Sequence, residues 1–84
     1  MGVSMSASET GRGETKAIRV GRARAEVAIV EGILSYVERM LCEERYKAQF
    51  GLPSTVHRTS ILRDIVLEVW ELRHQRLSEA EAGE

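Results

Sequence analysis

Apolar residues dominate two stretches of this chain and recur in each at helical spacing. From Val27 to Cys42, eleven of sixteen residues are apolar. Val27, Val30, Leu34, Val37 and Leu41 step by three and four, as one face of a helix does. Ile33 and Met40 widen that stripe, while Glu31, Ser35, Glu38 and Arg39 keep to a narrow polar face beside Gly32. Opposite charges four apart, Arg39 with Glu43 and Glu43 with Lys47, favour continuation. Gly51 suits a C-terminal cap and Pro53 cannot extend a helix. The spacing predicts a first helix over residues 25–50.

The second stretch is as rich, with eight apolar residues among the twelve from Ile61 to Leu72. Only Arg63, Asp64, Glu68 and Glu71 interrupt it. Thr59 is the expected N-cap because its hydroxyl accepts from free first-turn amides, with Ser54 or Thr55 as earlier alternatives. Arg73, His74 and Arg76 suit the negative pole of the helix dipole at the far end. The pattern predicts a second helix over 60–77.

A surface helix in a monomer needs an apolar stripe only about 100° wide, and both helices carry more. In a two-helix hairpin the surplus faces water at roughly 25 cal/mol for each Å², so a second chain is expected to cover it, with Leu67 and Trp70 as contacts between subunits. Ahead of the first helix, Ile18 and Val20 alternate with Ala17, Arg19 and Gly21. That period of two and its β-branched residues suit a short strand at 15–21. No other segment offers it a partner, so the strand is expected to pair with its copy across a two-fold axis.

Length and charge sharpen this picture. Eighty-four residues with one proline make one small domain, and domains below about 70 ordered residues usually need a staple, a metal or a partner subunit. The single Cys42 excludes an internal disulfide, and one cysteine with two histidines is too few for a well-defined zinc site; no metal or cofactor is expected. No apolar run approaches the roughly 18 residues of a membrane span and the first residues lack the core of a signal peptide, so a cytoplasmic protein without membrane contact is expected. The net charge is −1, unevenly spread: residues 1–24 carry +3, and residues 25–50 and 51–84 carry −2 each. Residues 1–14 are small and polar and read as a flexible tail; residues 78–84 read as an acidic tail that frays.

One strand, a helix, a loop and a second helix is the order of elements in ribbon-helix-helix DNA-binding proteins, the Arc and MetJ group. The segment Arg58-Thr59-Ser60-Ile61-Leu62-Arg63-Asp64-Ile65-Val66 resembles that family's second-helix start, and Lys16 to Arg22 is similar to its basic ribbon. The turn Gly21-Arg22-Ala23-Arg24-Ala25-Glu26 lacks the family's usual proline, and the first helix is about two turns longer than the family pattern.

The resemblance implies a mostly α fold with one short β-strand, an intertwined homodimer whose two-stranded antiparallel ribbon enters the major groove, over residues 15–77. Thr15, Ala17 and Arg19 then contact bases, Arg19 being the long donor suited to guanine. Lys16, Arg22, Arg24, Arg58, Thr59 and Ser60 contact phosphates. Ile18, Val20, Leu34, Val37, Leu62, Val66, Val69 and Trp70 form the dimer core. The implied function is sequence-specific binding of double-stranded DNA, of repressor, antitoxin or plasmid-maintenance type.

The alternative is a helical dimerisation or adaptor module binding another protein, through the end of the first helix or the acidic tail, with a disordered basic arm at the N-terminus. His57 and His74 read as surface residues, Cys42 as a small hydrophobe at the stripe's edge, and Arg63 as an ion-pairing arginine. Glu43 and Glu44 adjoin on a helix and point apart, no nucleophile-base pair occurs, and Gly11-Arg12-Gly13 is too sparse for a phosphate loop; an enzyme is not expected.

Overall fold

A computed structural model describes residues 15–83 as two helices, and the expected tail at residues 1–14 lies outside them. Helix α1 spans Lys16–Gln49 and helix α2 spans Val56–Ala82. The described residues contain no strand, which overturns the ribbon-helix-helix fold, its intermolecular ribbon and the strand at 15–21. Thr15 is instead the N-cap of α1, its side-chain oxygen accepting from the Ile18 N–H at 3.2 Å, one of the amides a helix start otherwise leaves unsatisfied.

The reason lies in a repeat that continues upstream. Val20, Ala23, Val27, Val30, Leu34, Val37 and Leu41 alternate steps of three and four, and five of these seven are buried. In α2 the same rhythm runs through Val56, Thr59, Arg63, Val66, Trp70, Arg73, Leu77 and Ala80, every one buried or half-buried. A strict seven-residue repeat is the signature of helices that pack along their whole length. The long α2 supplies a partner for the first turns of α1: Arg24 meets Glu81 at 3.4 Å, and Ala23 lines one groove with Ala80. With that cover, helix wins over a five-residue alternation that had no neighbour to pair with. The same contacts keep α2 helical through Ala82, where fraying is expected from residue 78.

The ion pairs fix the direction. Arg24 meets Glu81, Glu26 meets Arg73 at 3.5 Å and Glu31 lies 3.9 Å from His74, so partners on α2 fall broadly as numbers on α1 rise and the helices are antiparallel. Their turn is where glycine and proline predict it. The Phe50 N–H donates to the Tyr46 and Lys47 carbonyls, and Leu52 N–H reaches back to Lys47 at 2.9 Å. Gly51 takes φ 73°, the left-handed conformation that glycine adopts without steric cost.

Helix α2 starts a turn earlier than Thr59 suggests, at the N-cap Thr55. The Thr55 side chain makes no capping bond; the Ser54 hydroxyl accepts from the Val56 N–H at 3.2 Å and donates to the Glu44 carbonyl at 2.8 Å. The Cα trace measures 68 × 26 × 14 Å with a radius of gyration of 19.5 Å. A globule of this many residues has a radius near 11 Å. The chain is therefore a slab one helix thick, and only the seam between its helices is shielded.

Candidate functional site: an apolar face on one side of the hairpin

The residues assigned to DNA do not converge. Thr15 is spent on its cap, Lys16 and Ala17 are exposed in the first turn of α1, Arg19 is half-buried and Arg22 exposed, and Arg24 pairs with Glu81. Arg58, Thr59 and Ser60 lie at the other end of the slab, beside the interhelical turn and about 30 Å away at 1.5 Å per helical residue. Thr59 is 4% exposed and its N–H donates to the Thr55 carbonyl at 2.9 Å, so it offers no free amide to a phosphate. No ribbon exists among the described residues to carry Thr15, Ala17 and Arg19 into a groove.

The expected dimer core divides. Val20, Leu34, Val37, Val66 and Trp70 belong to the seam between the chain's own helices, as does Leu67. Trp70 packs against His74 in a tilted contact, ring centroids 4.1 Å apart at 57°, and its indole N–H has no partner. Ile18, Leu62 and Val69 face outward. Cys42 is exposed, in a dent with Ser35, Glu38 and Arg39.

What the fold assembles instead is an apolar surface. The two sides of the slab can be told apart by their contacts. Arg24–Glu81 and Glu31–His74 mark one side. On the other, Arg19, Arg22 and Glu26 of α1 share a groove with Arg76 of α2. Sevenfold repetition extends these rows along the helices: Ile29 and Tyr36 continue the row of Arg22, Ile33 that of Glu26, and Leu62 and Val69 that of Arg76. A neighbouring groove of about 300 Å³ joins Val69 and Arg76 to Leu72 and Glu79, which places Leu72 and, one heptad earlier, Ile65 on the rim of the same face. Ile29 is 64% exposed, Tyr36 58% and Leu72 58%, against 3% for Val37 and Leu41 in the seam.

Helix α2 is in this respect mixed. Beside Val66, Leu67, Trp70 and Leu77 its seam carries Thr59, Ser60, Arg63, Arg73 and His74, whereas Ile61, Leu62, Ile65 and Leu72 point to water. Contiguous exposed apolar area of this kind marks an interaction surface.

Glu44 carries a lowered pKa. The Thr55 N–H donates to its carboxylate at 2.8 Å and the Lys47 ammonium at 3.1 Å, and these bonds, the backbone one foremost, hold its pKa below the usual glutamate value. Glu44 thus ties the end of α1 to the start of α2. Charge spacing had pointed to Glu43 with Lys47; the pair formed is Glu44 with Lys47, three residues apart. Among the described residues, no group of three metal-ligating side chains comes together and no helix is long and apolar enough to cross a membrane. Comparison with known protein families, curated proteins and solved structures finds no match.

Proposed function

We propose that this chain is a helical interaction module, acting by docking one apolar face of its hairpin onto a second polypeptide. The supporting observation is the unshielded apolar surface around Ile33 and Val69, on a slab too thin to bury it. A fold that leaves aliphatic side chains such as Ile29, Ile33 and Leu72 in water gains free energy by meeting a second apolar surface, at roughly 25 cal/mol for each Å² removed from water. Such docking persists at high salt, whereas contacts to nucleic-acid phosphates weaken steeply as counterions return.

A photoreactive amino acid tests this directly. Placed at Tyr36, on the apolar face, in cells making the full chain, it should trap a polypeptide. Placed at Ser35, on the opposite side, it should not. Absence of an adduct at Tyr36, or equal trapping from both positions, contradicts the reading.

A further inference from the structure

We infer that the apolar face is covered by a second copy of this chain, docked face to face with α1 antiparallel to α1 and α2 antiparallel to α2. The product is a four-helix bundle with the interhelical turns at opposite ends. This rests on the interaction-module reading and names its partner.

The observation is a pattern of charge shared by both helices. On α1, steps of seven give Arg22, Ile29, Tyr36 and Glu43. On α2, steps of seven give Arg58, Ile65, Leu72 and Glu79. Each row reads basic, apolar, apolar, acidic, and each borders the apolar face. A row of that form is complementary to itself when reversed: arginine meets glutamate at both ends and apolar meets apolar between.

For one two-fold axis to serve both helices, the centres of the two rows must lie at one height. They do. The α1 row is centred between Ile29 and Tyr36, beside Ile33, and the α2 row between Ile65 and Leu72, beside Val69. Within the hairpin, the Glu26–Arg73 and Glu31–His74 pairs set Ile33 level with residues 66–72, whose middle is Val69. The axis therefore passes through Ile33 and Val69, each meeting its own copy.

The area is adequate. Ile29, Ile33 and Tyr36 with Leu62, Ile65, Val69 and Leu72 are 36% to 64% exposed, seven large side chains that supply the apolar centre of an interface burying roughly 800 Å² on each partner. The alternative two-fold, with both turns at one end, lays each α1 on the α2 of the copy and sets Arg22 against Glu79 and Arg58 against Glu43, so charge swaps at Arg58 and Glu79 tell the two arrangements apart.

Sedimentation equilibrium of the full chain with charge-swap variants tests the inference. The wild type should be a dimer at 20 µM. Arg58→Glu places two glutamates against each other at each of two symmetric contacts and Glu79→Arg does the same with arginines, so each should weaken dimerisation on the order of 10-fold. The double variant Arg58→Glu/Glu79→Arg should return to within about 2-fold of wild type, and the two single variants, mixed, should prefer each other. Both swaps suit the α2 dipole, acid at its start and base at its end, so helicity should hold and loss of folding cannot mimic the result.

A monomeric wild type at 20 µM overturns self-pairing, as do single variants without effect. A double variant that is not rescued overturns the antiparallel arrangement, because the other two-fold sets Arg58 against Glu43 instead. If the wild type is monomeric while Tyr36 traps a different polypeptide, the module reading stands and the second copy is removed; if Tyr36 traps nothing, both fall.

Discussion

Leu41 and Cys42 are neighbours on α1 with opposite surroundings, and replacing each by alanine tests the seam register. Leu41 is 3% exposed and Cys42 is exposed. Truncating a buried leucine costs about 2–5 kcal/mol, depending on how far the site collapses. In a slab one helix thick the neighbours have room to close in, so the lower part of that range, about 2–3 kcal/mol, applies to Leu41→Ala. Roughly 0.05–0.15 kcal/mol per residue gives the described residues about 3–10 kcal/mol in all, so this one change removes a large share. Cys42→Ala should stay within about 0.5 kcal/mol. Urea unfolding followed by far-ultraviolet circular dichroism reads both, at one fixed protein concentration because association contributes to stability. The midpoint should fall for Leu41→Ala with an unchanged slope. Equal effects of the two substitutions would refute the seven-residue seam.

Other predictions follow from the ends and the turn. Gly51→Ala should cost about 1–2 kcal/mol purely through backbone strain at φ 73°, since no atom lies within 4 Å of an added Cβ; Gly51→Asn should cost less. Thr15→Ala should cost about 0.5–2 kcal/mol, visible as faster hydrogen exchange at the Ile18 amide while backbone chemical shifts over residues 18–22 stay helical. Glu44 has a lower pKa folded than unfolded, so the stability it contributes is present above the ordinary glutamate pKa of about 4.3 and is lost as pH falls through the folded value. Wild type should therefore lose stability in that acid range faster than Glu44→Gln, and parallel curves would show that the Thr55 bond is not made in solution.

Much of α1 was legible because its seam obeys the usual rule of apolar inside and polar outside. Val27, Val30, Leu34, Val37 and Leu41 announce both the helix and the buried face, and Gly51 with Pro53 announce its end. The segment 15–22 misleads because Ile18 and Val20 satisfy a period of two over five residues, while Val20 also opens the seven-residue repeat. Only the long-range cover from Ala80 and Glu81 decides between them, and a short window does not contain it. The face itself was hidden because α2 breaks the rule, packing Arg63, Arg73 and His74 inward and showing Ile61, Leu62 and Ile65. The excess of apolar helix surface is legible in the composition of both helices, but which residues expose it depends on the rotation of α2 about its axis, which the ion pairs reveal.

The chain's five isoleucines allow one measurement that separates its surfaces. All five are exposed in the hairpin, from 48% to 64%. Isotope-labelled isoleucine methyl groups, read by nuclear magnetic resonance with a soluble paramagnetic agent, report which remain open to solvent at 100 µM. The paired face should shield Ile33 strongly and Ile29 and Ile65 in part, leaving Ile18 and Ile61 fully broadened, and dilution below the dissociation constant should erase the difference. Uniform broadening of all five at every concentration above that of a stable dimer would contradict pairing through this face.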